Sequence, residues 1–514
     1  MITSKNPATG EVLGEVPITT KEQARVLIAK AREASIIWAQ SSFQDRASIL
    51  KKANRYIYRH FDELAELINK ENGKQRAEAA AMELMPALYH NQYFSNHAEA
   101  ILAPHSISMN LGRLMGKASS IHYIPWGVIG IISPWNYPFG IPMTQITLAL
   151  AAGNAVVLKP SSYTALIGQK IKKIWDAAGV PEGVVNVIQG PGATGEILIE
   201  EKVDRLIFTG SVSVGRHLGK LAAEKLIPIT LELGGKDAAL VLSDANLNIA
   251  TSGILWGAFG NAGQTCAGIK RAYVHRSVYE PFVSMLVKKA KTLRIGPDRN
   301  FAGDVGAITT ENQMAIFDRH VRTAREAGAK VLCGGEAFLI GNGRFFAPTI
   351  IADADHTMEV VKEETFGPVL VVMAFDSEDE AIRLANESEY GLSASIWSSD
   401  AAKAKKLALR LQVGTVTIND SLFTYGLAET PWGGMKNSGI GLTHGKEGLL
   451  EMVRPIHVAS DRLWRIKKLW WYPYNQGLYS IFKEGIALFF DPKPGNKAKA
   501  AIRAIKEIFD NKKL

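Results

Sequence analysis

Cysteine is nearly absent from this 514-residue chain: there are two, Cys266 and Cys333. Two cannot build a disulfide framework, and neither has the CxxC or His-rich neighbours of a metal site, so no metal is expected. Such sparing use suits a reducing compartment. Charge is absent from one long stretch, with no Asp, Glu, Lys or Arg between Lys117 and Lys159. That run suggests a membrane span, but Pro125, Pro134, Pro138 and Pro142 interrupt it and argue for strands and turns instead. The opening stretch MITSKNPATGEVLGEVP lacks the basic start and apolar run of a secretory leader, so a cytoplasmic location is expected. No internal repeat and no low-complexity linker breaks the chain, which leaves the pattern of elements to mark the domains.

What is present is an ordinary core-forming composition, 47% hydrophobic and 21% charged. The formal charge of +9 is uneven: residues 461–514 hold twelve Lys/Arg against five Asp/Glu, so +7 of it lies in the tail. Through the body, continuous apolar strands alternate with helices. GVIGIIS, the turn PWNYP, a helix to about residue 152, AVVLK, a helix near 164–177, VVNVIQG, RLIFTG, a helix from about 213 and PITLELGG form one series. AALVLS, a long helix ending before Cys266, RAYVHRS, a helix near 279–293, GPVLVVMAF and GTVTIND form a second. This is the pattern of an α/β protein whose first unit is doubly wound and of nucleotide-binding type and whose second is a further α/β domain.

Four stretches carry chemistry, each with a plainer alternative. In FGNAGQTCAG, Cys266 sits among glycine, alanine and small polar residues, unlike a structural cysteine packed among larger hydrophobes. LELGGKD places Glu232 at the end of an apolar strand, where desolvation raises a carboxylate toward the range of a general base; a salt bridge to Lys236 is the alternative. SPWNYPFG offers the Asn136 amide at a strand end, either as an oxyanion donor or as a backbone cap. FTGSVSVG joins a strand to a helix, with Gly210 and Gly215 expected to allow a tight turn and Ser211 to face an anion. Cys333, in KVLCGG, reads as structural.

Taken in order, NPATGEVLGEVP, PWNYP, AAGNAVVLKP, FTGS, LELGGKD, FGNAGQTCAG, EETFGPV and PWGGMKNSGIG resemble the aldehyde dehydrogenase superfamily, to about residue 458. The resemblance implies a Rossmann-type cofactor domain (1–107 and 126–234), a catalytic domain (235–430), and a return at 431–458 to the cofactor and oligomerisation region. It also implies an oligomerisation hairpin (108–125) that builds a homodimer or homotetramer. By the same resemblance Cys266 is the nucleophile, Asn136 with the Cys266 amide forms the oxyanion hole, and Glu232 activates the water that releases the acid from a thioester. The cofactor, NAD or NADP, would lie against Trp135, Lys159, Ser162, Gly210, Ser211, Gly215, Leu233, Glu364 and Phe366. Many NAD-preferring members carry Glu three residues after the strand-end Lys; here that residue is Ser162, which removes the repulsion of a 2′-phosphate and admits NADP. Two further departures are Val212, where Thr is common, and Lys446, where several members place a Glu linked to water movement.

For the substrate tunnel the resemblance points to Tyr137, Met143 and Thr144. No Lys or Arg lies near them, which favours a lipophilic aldehyde, medium or long aliphatic, aromatic or terpenoid, with a semialdehyde as the alternative. A thioesterase using the same Cys and Glu, or a structural family member without catalysis, are the remaining rivals. Residues 459–514 extend beyond the resemblance. Trp464, Trp470, Trp471, Tyr472 and Tyr474 alternate with Arg462, Arg465, Lys467 and Lys468 there, and the basic amphipathic stretch KAKAAIRAIKEIFDNKK follows. Residues 462–514 are expected to meet an anionic membrane surface. The alternative is an arm packed on a partner subunit, and with no RNA-binding motif a nucleic-acid partner is not expected.

Overall fold

The strand AVVLK, Ala155–Lys159, is buried at all five residues, as is VIGII, Val128–Ile132. Strands apolar on both faces need helices on both faces, and the computed structural model supplies them. It describes residues 1–109 and 115–510. Two compact units result, one of residues 1–103 and 123–455, the other of residues 104–122 and 456–514.

The larger unit contains two twisted sheets. The six-stranded sheet runs in the order Gly439–Ile440, Ile229–Glu232, Arg205–Thr209, Val128–Ile132, Ala155–Lys159, Val185–Val187, and is parallel except for its first, antiparallel edge. Strand order reverses at Val128–Ile132, so the turn leaving that strand, which carries Asn136, opens at a switch point where such sheets bind ligands. The seven-stranded sheet runs Lys330–Cys333, Thr349–Ala352, Val369–Phe375, Ile269–His275, Asp237–Val241, Ser393–Trp397, Thr415–Ile418, again parallel apart from its first edge. These sheets are the α/β architecture expected from the sequence.

Helices missing from the sequence reading occupy residues 21–102. Lys21–Trp38 and Phe43–Arg59 each begin at a capping box, Thr20 with Gln23 and Ser42 with Asp45. Further on, a five-residue π-helical turn, Ala80–Leu84, interrupts the helical run before Met85–Leu102.

The smaller unit has a three-stranded sheet, to which Val453–Asp461, Lys117–Pro125 and His105–Ser106 contribute in that order. Asp461 ties the sheet together, accepting from Lys117 Nζ (2.6 Å) and Lys468 Nζ (2.7 Å). Two helices follow, Gln476–Phe490 and Pro494–Asp510, packed as an antiparallel hairpin in which Arg503 pairs with Glu484 at 3.0 Å. Of the expected hairpin at 108–125, residues 110–114 lie outside the described residues, as do 511–514 of the tail. Among the described residues no helix is long and apolar enough to cross a membrane.

Candidate active site

The cysteine loop begins where the helix Leu247–Phe259 ends. Asn261, Ala262 and Gly263 then take left-handed backbone, with φ of 53°, 53° and 69°. At Gly263 a Cβ would lie 2.2 Å from the Gly367 carbonyl oxygen, so only glycine fits. Lys270, which the sequence reading passed over, holds the loop from below: its buried amine donates to the Gly263 and Gly367 carbonyls at 2.7 and 2.9 Å. Cys266 emerges half-buried, with the Ala267 N–H directed at its sulfur. Among the described residues nothing accepts from the Cys266 N–H, which leaves that amide free for an oxyanion.

Asn136 arrives from the opposite sheet and is fixed on both ends. Its side-chain amide donates to the Gln264 carbonyl (2.9 Å), and its own carbonyl accepts from Asn261 Nδ2 (2.9 Å) and Lys74 Nζ (2.8 Å). One amide proton stays uncommitted, beside the cysteine loop. Lys74 is wholly buried and ion-paired with Glu83 at 2.6 Å; its amine also lies 4.0 Å from the centre of the Tyr137 ring. The other Glu83 oxygen accepts from the Phe139 and Gly140 amides, 2.7 and 3.0 Å, at the start of the helix Gly140–Ala152. The π turn carrying Glu83 is therefore clamped to the turn carrying Asn136. Glu83→Ala leaves the buried Lys74 ammonium without its counter-charge and the Phe139 and Gly140 amides without their acceptor, and is expected to cost about 3–5 kcal/mol in denaturant unfolding. A single variant as stable as the parent would remove the pair from this role.

Glu232 is not paired with Lys236, whose amine donates instead to Thr365 Oγ1 at 3.1 Å. The carboxylate accepts from the hydroxyls of Thr443 and, at 3.3 Å, Thr209. Burial pushes it up to about 7, against the opposing pull of those two hydroxyls. Burial also pushes the Cys266 thiol well above its ordinary range, reinforced by the carboxylates of Glu232, Asp237 and Glu364. Lys446 is exposed, and it is Thr443, three residues earlier, whose hydroxyl contacts Glu232.

Two cavities meet at Cys266. The first, about 460 Å³, has walls from Met82, Ile141, Trp256, Leu422, Tyr425 and Trp432 among others and, among the described residues, no Asp, Glu, Lys, Arg or His. Tyr137 lines it as expected, its hydroxyl 2.7 Å from Thr265 Oγ1. Met143 and Thr144 do not. Every residue of the helix Gly140–Ala152 is buried, so its pattern could not show which face meets the tunnel. Met143 faces the core, and Thr144 bonds the Ile141 carbonyl at 2.9 Å.

The second cavity, about 240 Å³, is lined by Trp135, Asn136, Gly210, Ser211, Glu232, Leu233, Glu364 and Phe366, together with Gln313 and Ile316, which the sequence did not suggest. The Trp135 and Phe366 rings meet edge to face at 5.5 Å, and Glu364 accepts from the Gly235 amide at 3.0 Å while burial pushes it up to about 7. Neither Gly210 nor Gly215 takes left-handed backbone; the chain bends at Gly210, and Gly215 lies in the first turn of the helix Val212–Glu224. They serve close approach: a Cβ would lie 2.5 Å from the Phe208 ring or from Leu233. Lys159 ends its strand buried, lowered to about 8 by desolvation, and no group of the described residues accepts from its amine. Ser162 opens the short helical turn Ser162–Thr164, its hydroxyl uncommitted. The residues fit a dinucleotide. Ser211 caps the thirteen-residue helix Val212–Glu224 without a side-chain bond, leaving first-turn amides for a phosphate, and the buried Lys159 amine awaits an acceptor such as a ribose hydroxyl.

Comparison with known proteins gives concordant matches. The model of the aldehyde dehydrogenase family matches residues 1–458. The chain is 37% identical to 4,4′-diapolycopene aldehyde oxidase of a Methylomonas species, over 99% of this chain and 96% of that one. It is 35% identical, over 88% of each chain, to a protein of Mycolicibacterium smegmatis provisionally named succinate-semialdehyde dehydrogenase (NADP(+)). Among solved structures, aldehyde dehydrogenase of Mycobacterium tuberculosis complexed with NAD+ superposes with a TM-score of 0.85 at 34% identity, covering 89% of this chain and 94% of that one.

Proposed function

The chain belongs to the aldehyde dehydrogenase family and is an NAD(P)-dependent oxidoreductase of aldehydes; from this we propose that its substrate is a lipophilic aldehyde and that Cys266, Asn136 and Glu232 carry the reaction. The observation behind the substrate class is the wall of the larger cavity, which holds no charged side chain along its approach to Cys266. A lipophilic chain gains by leaving water there, whereas the distal carboxylate of a semialdehyde would be desolvated with no cation to meet it. The name of the Methylomonas relative, an oxidase of a terpenoid aldehyde, supports the same class.

In this reading Cys266 gives up its thiol proton to a water molecule as its sulfur bonds to the aldehyde carbon, and the carbonyl electron pair moves to oxygen, held by the Asn136 amide and the Cys266 N–H. When bound, a nicotinamide dinucleotide supplies the hydride acceptor. Trp135, Lys159, Ser162, Ser211, Glu364 and Phe366 would hold it, with Gly210, Gly215 and Leu233 shaping the groove. Ser162 carries no negative charge to repel a 2′-phosphate, so both NAD and NADP are accepted. Glu232 then takes a proton from the water that cleaves the Cys266 thioester. Self-association as a dimer or tetramer, and contact of residues 462–514 with an anionic membrane, complete the proposal.

The test is NAD(P)H formation by the purified protein with each cofactor over aldehydes of increasing chain length, an apocarotenal, and succinic semialdehyde. Efficiency is expected to rise about tenfold for every two or so buried methylenes until the cavity is filled, from roughly 0.8 kcal/mol each. A preference for the short anionic aldehyde would overturn the substrate class and leave the family assignment standing.

A further inference from the structure

The helix Gln476–Phe490 has two apolar faces, of which one is covered. Leu478 and Ile481 are buried in the hairpin, while Tyr479, Phe482, Ile486, Phe489 and Phe490 are 40–75% exposed. Their spacing, three, four, three and one, sets them on a single stripe of the helix. On the second helix Ile502 and Ile505 are likewise exposed, at 69% and 55%, one turn apart. Five large hydrophobes in line on a water-facing helix mark an interaction surface rather than the scattered apolar residues of an ordinary one.

The charge beside the stripe selects its occupant. Residues 476–506 carry six basic side chains, Lys483, Lys493, Lys497, Lys499, Arg503 and Lys506, against two acids, Glu484 and Asp491. Glu484 and Arg503 are spent on each other, which leaves five lysines, of which Lys497 donates to the Phe489 carbonyl, while Asp491 accepts from the Lys493 amide and Asn496. A second copy docked by two-fold symmetry would bring two such cationic sets together, which costs energy. A peptide-like acidic partner would meet the charge but not the aromatic stripe. An anionic lipid surface meets both, with Phe and Ile among the upper acyl carbons, Tyr479 at the carbonyl level, and the lysines reaching to phosphates. Helices of 15 and 17 residues are about 22–26 Å long, shorter than the hydrocarbon core, and so lie in the interface rather than across it.

We propose that the stripe Tyr479, Phe482, Ile486, Phe489 and Phe490 of this hairpin is a monotopic membrane-insertion face, selective for anionic lipid. The proposal refines the expected membrane contact from the whole tail to one helix face, and it stands or falls independently of the substrate class.

The test is flotation of the full chain with vesicles of phosphatidylcholine alone or mixed with phosphatidylglycerol, scored beside turnover of a short water-soluble aldehyde. Partition to the mixed vesicles is expected, falling with salt, and falling roughly fivefold for each basic residue removed, from about 1 kcal/mol apiece. Phe482→Ser with Phe489→Ser, both exposed, is expected to lower partition at least tenfold and to leave turnover and oligomer mass unchanged. Failure of the parent protein to float, equal flotation on uncharged vesicles, or flotation untouched by the double variant would each overturn the proposal. A lipid-independent drop in oligomer mass on the double substitution would overturn it too, and assign the stripe to a second copy.

Discussion

Glu232→Gln is expected to release one NAD(P)H per active site in a rapid burst and then nearly stop, with steady-state turnover lower by roughly 10²–10⁴-fold. Gln keeps the shape of the side chain and can still bond the Thr443 and Thr209 hydroxyls, so the site should remain assembled. What it loses is the capacity to take a proton from water, which in the proposed reaction frees the acid from Cys266. The pH dependence fixes the direction. A carboxylate raised to about 7 by burial acts as a base only once ionised, so wild-type deacylation should climb as pH rises through 7 and level above it. That limb should be missing from the residual turnover of the variant. Rapid-quench counting of NAD(P)H per site checks both features. A variant that turns over at the parental rate would remove Glu232 from catalysis. One that shows no burst would place its action before hydride transfer, at the Cys266 thiol, whose proton also needs a taker in so buried a setting.

The strands were legible because each is a short unbroken apolar run, and burial on both faces of a parallel sheet leaves that mark on sequence. AVVLK begins and ends where the pattern places it, and RLIFTG runs one residue past the strand Arg205–Thr209. The side chains proposed to react stand out for the opposite reason, as polar residues where burial is costly: Glu232 closing an apolar strand, Cys266 with small sequence neighbours. Their supporting groups were not. Lys74 and Glu83 sit in separate segments with ordinary surroundings, and the contact between them appears only when the π turn and the helix Gly140–Ala152 meet. Lys270 looks in sequence like the start of a strand and in space is the floor of the cysteine loop. The tunnel is similarly assembled from residues 82, 141, 256, 422 and 432, each of which alone reads as core. Thr443 shows the limit of reading by motif. The stretch GLTHGKEGLL drew attention to Lys446, yet the strand bridge between Trp432 and Thr443 brings the threonine hydroxyl to the base.

Cys266→Ala is expected to remove both the burst and the turnover, by roughly 10⁴-fold or more as with other catalytic nucleophiles, while the protein still binds the dinucleotide. The residue packs at the edge of a small apolar cluster with Ala267, Leu392 and Trp432, so replacing its thiol with a methyl-bearing Ala should shift stability by about 1 kcal/mol. Loss of activity with retained cofactor binding, read by fluorescence titration, therefore separates nucleophile from scaffold. The second cysteine is the internal control. Cys333 sits near a strand edge with its sulfur 3.7 Å from the Pro348 carbonyl, far in sequence from either cavity wall, and Cys333→Ala should keep full activity. Alkylation adds a kinetic check. Because burial and three nearby carboxylates hold the Cys266 thiol above its ordinary range, iodoacetamide should inactivate the cofactor-free enzyme more slowly at pH 7 than it reacts with a free cysteine, and faster as pH rises. Inactivation that tracks modification of Cys333, or turnover that survives in Cys266→Ala, would refute the assignment of the nucleophile. Retained turnover would also require another group at the junction of the two cavities, where Cys266 has the only thiol among the described lining residues.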